Sequence, residues 1–243
     1  MVYVISDLHG YPLEKLKKLL YLADFSDHDF LYILGDCIDR NGDGGVEMLC
    51  WLLEQPNVQL ILGNHESMLL ACAFVFDEIT EESLHTLTSE KIGMLHQYMI
   101  NGGDVTLQAF RKLCNQSPHL IADIFDYLHD APLYEAITAG GKDFLLVHAG
   151  MDHFDKKKKL SQYSDDDFLW AWPELKDEYF DDIITVFGHT PTMSYGKEFE
   201  GKILKTRTWI DIDVGTGFGR SPVLLRLDDF KEFSFDEKQY GYV

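Results

Sequence analysis

Phe30-Leu31-Tyr32-Ile33-Leu34 runs without a break into Gly35-Asp36-Cys37-Ile38-Asp39-Arg40. Five apolar residues that end on a glycine fit a buried strand better than a helix. The polar residues begin where that strand ends. The same change recurs at residues 2–5 before Ser6-Asp7-Leu8-His9-Gly10, and at 58–62 before Gly63-Asn64-His65-Glu66. It recurs again at 144–147 before His148-Ala149-Gly150, and at 183–187 before Gly188-His189-Thr190. Helical patterns lie between these runs. Leu13, Leu16, Leu19 and Leu20 share one helix face behind Pro12, while Lys15, Lys17 and Lys18 take the wet side. Residues 46–54 and 67–76 read as further helices, and residues 78–130 as mostly helical. Strands return within 202–227, at 203–204, 209–214 and 223–227. This β-α-β alternation predicts an α/β fold with functional loops at the carboxyl ends of its strands. Residues 151–172 lack apolar periodicity and are expected to form an exposed excursion near the site. No linker rich in Pro, Gly or Ser is visible, so residues 1–243 read as one domain.

The five strand-end loops supply Asp7, His9, Asp36, Asn64, His148 and His189. Carboxylate, imidazole and amide donors in this mixture suit manganese, iron or zinc better than calcium, which prefers oxygen, or structural zinc, which prefers thiolates. Six donors exceed the need of one ion. Two ions sharing a bridging carboxylate would use them all, and such a pair activates a bridging hydroxide for in-line attack at phosphorus.

The chain of 243 residues carries 41 Asp plus Glu against 21 Lys plus Arg, a net charge of −20. So acidic a surface argues against a nucleic-acid polymer or an anionic membrane as partner. Its 46% hydrophobic and 26% charged residues are ordinary for a folded protein. Cys37, Cys50, Cys72 and Cys114 form no CxxC pair, the first residues show no leader pattern, and no apolar run is long enough to span a membrane. A cytoplasmic location is the expectation.

Taken together, Asp-x-His, Gly-Asp-x-x-Asp-Arg, Gly-Asn-His-Glu, the strand-end His148 and Gly188-His189 resemble the calcineurin-like metallophosphoesterases, and among them the bacterial PPP-type serine/threonine phosphatases. Asn101-Gly102-Gly103, Phe168-Leu169-Trp170 and residues 212–217 extend the resemblance over nearly the whole chain. It implies a central β-sandwich of mixed sheets flanked by α-helices. It implies that Asp7, His9 and Asp36 hold one divalent ion and that Asp36, Asn64, His148 and His189 hold the other, with manganese first and iron or zinc as alternatives. By the same resemblance His65 donates a proton to the leaving group, Asp39 orients His65, and Arg40 clamps the phosphate beside Asn64.

The leading expectation is hydrolysis of phosphomonoesters, phosphoserine or phosphothreonine in proteins foremost. The enzyme alternative is a nucleotide or dinucleoside polyphosphate hydrolase, and a non-catalytic metal-binding scaffold is the third reading. The partner is then a phosphoprotein or a small phosphoester, and the oligomeric state stays open. One departure bears on the choice. Where bacterial members carry an Arg two positions after the Leu-Trp pair, this chain has Ala171-Trp172. Either another cation, Arg207 or Arg220, reaches the site, or the substrate stacks on Trp172, or activity is weak.

Overall fold

Two five-stranded sheets organise the residues that the computed structural model describes, 1–78, 80–81 and 85–235. In spatial order the first sheet is Lys231–Phe233 (β10), Leu224–Arg226 (β9), Val2–Ile5 (β1), Phe30–Leu34 (β2) and Val58–Ile61 (β3). The second is Tyr134–Ala139 (β4), Lys142–Val147 (β5), Ile183–Phe187 (β6), Trp209–Asp211 (β8) and Leu204–Lys205 (β7). β1, β2 and β3 run parallel, as do β5, β6 and β8, so each sheet presents a row of carboxyl ends.

Alternation along the strands builds three apolar layers. Val4, Leu34 and Ile61 of the first sheet pack with Phe144, Leu146, Val186 and Ile210 of the second, which makes the pair a sandwich. The intervening residues Tyr3, Ile5, Leu31 and Ile33 turn outward onto a helical layer. That layer comprises Leu13–Leu22 (α1), Val46–Leu52 (α2), Asn64–Ala71 (α3), Ser89–Tyr98 (α4), Asp104–Gln116 (α5) and Pro118–Asp130 (α6). On the far side of the second sheet, Leu145, Val147, Phe187 and Trp209 pack with Met151, Phe168 and Tyr179. Burial on both faces explains why the central strands read as nearly continuous apolar runs, broken by Gln59 in β3 and Thr185 in β6, rather than as alternating ones.

The structure differs from the sequence reading at several places. The third helix begins at Asn64, not at residue 67, because Glu66 in its first turn accepts a hydrogen bond from the Gly63 N–H and so caps the helix itself. The antiparallel strands β4 and β10 have no counterpart in the sequence reading. Residues 151–172 are only partly exposed: Met151, Tyr163, Phe168 and Leu169 are buried, the last two on the short helix Asp165–Leu169 (α7), while Trp172 is exposed. Residues 79 and 82–84 of the stretch read as helical lie outside the described residues. Among the described residues no helix is long and apolar enough to cross a membrane.

Candidate metal centre

All five strand-end loops meet where the two rows of carboxyl ends face each other. Two bonds sew them together: the His189 N–H donates to Asp7 Oδ2 at 2.9 Å, and His148 Nδ1 donates to the Leu34 carbonyl at 2.8 Å. Asp7, His9, Asp36, Asp39, Arg40 and His189 all hold positive φ, between 42° and 72°. Left-handed backbone costs a non-glycine residue about 1 to 3 kcal/mol and persists only where surrounding structure enforces it. Such conformations cluster at working sites, and here they turn consecutive side chains into one cleft.

The hydrogen bonds fix which nitrogen of each histidine is free. His148 spends Nδ1–H on Leu34, so its Nε2 carries a lone pair, 3.4 Å from Asp36 Oδ1, 2.8 Å from Asn64 Oδ1 and 3.2 Å from His189 Nδ1. His9 likewise donates Nδ1–H to the Ile38 carbonyl at 3.0 Å, leaving Nε2 3.7 Å from Asp36 Oδ2. Asp36 therefore stands between two histidine groups, His9 with His65 on one side and His148 with His189 on the other. Asp7 belongs to neither of these tight groups; its carboxylate is bound to the His189 backbone and lies within electrostatic reach of Asp36.

Burial pushes His9 and His148 well below the usual histidine range and His189 down to about 4, so all three are neutral, the form that binds metal. It also pushes the carboxyls of Asp7 and Asp36 well up, with neighbouring carboxylates adding to the effect. Such a cluster lacks positive charge. It also lacks donors. Turning the Asn64 amide over would aim its nitrogen at both Asp36 oxygens, His148 Nε2 and His189 Nδ1, within 2.8 to 3.3 Å. Two amide hydrogens cannot serve four acceptors, and with Nδ1 accepting, the ring proton of neutral His189 sits on its buried Nε2, which has no partner. Divalent cations would satisfy every one of these lone pairs, so the donor set fits them.

Beside this cluster lies a second network. His65 Nδ1 donates to Asp39 Oδ2 at 2.6 Å, and Asp39 Oδ1 accepts from the hydroxyls of Tyr98, at 2.7 Å, and Thr106. Arg40 Nη2 donates to His65 Nε2 at 3.1 Å, and the Arg40 N–H donates to the Gly102 carbonyl. Gly102 sits at φ +98°, and a Cβ there would approach Arg40 Cγ to 2.8 Å, which accounts for the glycine in Asn101-Gly102-Gly103. Tyr98, Thr106 and Glu66 were missed as positioning residues by sequence reasoning. Glu66 accepts from the N–H groups of Asp36, Cys37 and Gly63. Thr106 and Glu66 both lie within or beside quoted motifs, whereas nothing local marks Tyr98.

The cleft continues into a cavity of about 240 Å³ whose walls include Arg40, Asn64, His65, His189, Trp172 and Phe218. Trp172 is 61% exposed, with its ring 5.7 Å from that of His189 and nearly perpendicular to it; Trp170 approaches His189 in the same way, at 6.0 Å. The structure also sorts the two substitute cations. Arg207 pairs with Glu178 and Asp181 on the surface and does not line this cavity. Arg220 pairs with Glu200 and lines a neighbouring cavity.

The family model of the calcineurin-like phosphoesterases matches residues 1–214. The chain belongs to that family. Among curated relatives, this phosphoesterase is similar to the symmetrical bis(5'-nucleosyl)-tetraphosphatase of Chromobacterium violaceum, 38% identical over 32% of this chain and 28% of the relative. A second relative of that name, from Acidovorax sp. (strain JS42), is 25% identical over 62% of this chain and 44% of its own length. A third, from Buchnera aphidicola subsp. Baizongia pistaciae, is 23% identical over 95% of this chain and 96% of its own. The matched segments thus span less than half of the first two relatives. Among solved structures, one provisionally named a diadenosine tetraphosphatase superposes on the phosphoesterase with TM-score 0.58 and 17% identity, covering 96% of this chain and 92% of that one. A cold-active protein tyrosine phosphatase gives 0.54 and 18%, over 96% and 78%. At such identities these two likenesses concern the fold.

Proposed function

We propose that this phosphoesterase hydrolyses a dinucleoside polyphosphate, with Asp7, His9 and Asp36 facing one divalent ion, Asp36, Asn64, His148 and His189 facing a second, and manganese as the ion used. The aromatic wall carries the substrate reading. Trp172 stands on the site cavity with most of its surface bare, at the sequence position where the resemblance to the bacterial protein phosphatases implies a second phosphate-binding arginine. A nucleobase stacked on such a face gains about 1 to 3 kcal/mol. The names of the relatives, one of them matched along nearly its whole length, support the same choice over a phosphoprotein. The free thiols Cys37, Cys50, Cys72 and Cys114 fit the reducing cytosol as the setting.

Divalent ions, when bound, supply positive charge to the phosphoryl oxygens and lower the pKa of an attacking water. The chain's own residues do the rest. Arg40 faces the cavity and offers two parallel donors to phosphate oxygens. When it turns to the substrate it leaves His65 Nε2, which can then take up a proton and pass it on, with Asp39 keeping Nδ1 occupied. Hydrolysis joins the water oxygen to one phosphorus and breaks that phosphorus's bond to the bridging oxygen. The departing phosphate leaves as an anion or with the His65 proton. The test is a parallel assay, with manganese, on diadenosine tetraphosphate and on a phosphoserine peptide. Release of adenosine diphosphate as the sole nucleotide product is expected, and a peptide kcat/KM ten times higher than that for the tetraphosphate would overturn the proposal.

A further inference from the structure

We infer that a second cavity, which shares His9 with the one lined by the tryptophans, binds the phosphates of the far nucleotide half, so that the substrate straddles the metal centre. The inference rests on the dinucleoside polyphosphate reading and assigns it a second subsite. The cavity has the same volume as the first, about 240 Å³, and His9 lines both. Its walls include Tyr11, Lys15, Asn41 and Arg220. Lys15 Nζ lies 5.8 Å from the Tyr11 ring centre, and Arg220 holds Glu200, an exposed partner that an incoming phosphate can displace. Two cations beside an aromatic ring are what a nucleoside diphosphate requires, and they stand out on a chain of net charge −20.

The partition between the cavities is the turn Thr216–Phe218. Thr216 lines the second cavity and Phe218 the first. Between them Gly217 presses against the reacting centre so closely that a Cβ would stand 2.6 Å from His9 Cδ2 and 2.7 Å from Arg40 Nη1. With no side chain at residue 217 the turn closes directly onto His9 and Arg40, and His9 is the wall that the two cavities share. A phosphomonoester would fill one side only. A substrate with a nucleotide at each end fills both and places its middle anhydride at the metals.

The experiment uses the manganese-loaded full chain with Lys15→Ala, Arg220→Ala and the rescue variant Arg220→Lys, each checked for native fold by circular dichroism. Diadenosine tetraphosphate and p-nitrophenyl phosphate are assayed side by side, and the readout is the ratio of their kcat/KM values. Each alanine variant should lower that ratio about tenfold through a higher KM for the tetraphosphate, with Arg220→Lys recovering part of it. Adenosine diphosphate should also inhibit turnover of p-nitrophenyl phosphate less well in both alanine variants. If the wild type cleaves the tetraphosphate but neither ratio nor inhibition moves, the subsite is refuted and the substrate reading stands. If the wild type turns over p-nitrophenyl phosphate and leaves the tetraphosphate untouched, the substrate reading falls and the subsite with it.

Discussion

Glu66→Gln tests the claim that one buried carboxylate holds the two central loops in register. Glu66 is fully buried; Oε2 accepts from the N–H groups of Asp36 at 2.8 Å and Gly63 at 3.1 Å, and Oε1 accepts from Cys37 at 2.8 Å. A glutamine keeps only one acceptor oxygen. If that oxygen serves Asp36 and Gly63, the new NH2 group faces the Cys37 N–H, donor against donor. Leaving a buried donor unpaired costs roughly 1 to 3 kcal/mol, and each remaining bond loses about 1 kcal/mol as it changes from charge-assisted to neutral. An opposing effect reduces the sum: Glu66 follows burial among the causes that raise the Asp36 carboxyl, so removing its charge relieves Asp36 in the metal-free protein. The net loss should be about 2 to 4 kcal/mol. Urea unfolding of both proteins in chelator measures it, and kcat/KM at saturating manganese reads how far Asp36 and Asn64 have shifted. A loss under about 1 kcal/mol with unchanged kcat/KM would refute the idea that Glu66 clamps the loops.

Three further outcomes are expected. His65→Ala should lower kcat/KM by about 10² to 10⁴ for alkyl phosphates, whose leaving groups need a proton, and by tenfold or less for the tetraphosphate, whose leaving phosphate is already a good anion; an equal loss across a leaving-group series would exclude the proton-donor role. Tyr98→Phe removes one of the two hydroxyl donors on Asp39 Oδ1 while Thr106 remains, so thermal denaturation should show about 1 to 2 kcal/mol of lost stability, and no loss at all would mean that this hydroxyl contributes nothing. Chelation should abolish turnover, and manganese restored at a hundred times its dissociation constant should add about 2.7 kcal/mol of stability; Asp36→Asn should forfeit most of that gain, as scanning calorimetry would reveal.

The site was more legible in the sequence than the scaffold around it. Each ligand candidate closely follows a largely apolar run, and because these strands are buried on both faces only Gln59 and Thr185 interrupt the runs. The start of α3 was misplaced because its cap is a glycine served by the helix's own Glu66, a bond that spans only the first turn. β4 was overlooked because its residues 134–138 are partly exposed and lack an apolar run, although Gly140-Gly141 marks the hairpin that joins it to β5. Tyr98 reaches Asp39 across 59 residues, and the fates of Arg207 and Arg220 depend on which acids the fold places beside them. Contacts of that range leave no mark on local pattern.

The seam between the sheets has one more consequence. Asp7, His9, Asp36 and Asn64 lie before the link 131–133 that separates α6 from β4, and His148 and His189 lie after it. A chain cut within that link would leave two fragments, neither with all six of the proposed ligands. The second fragment would still have to return β9 and β10 to the edge of β1 in the other sheet. Reassembly would then depend on strand exchange and on ion concentration together, which makes the joint a natural place to build a split reporter for divalent metal.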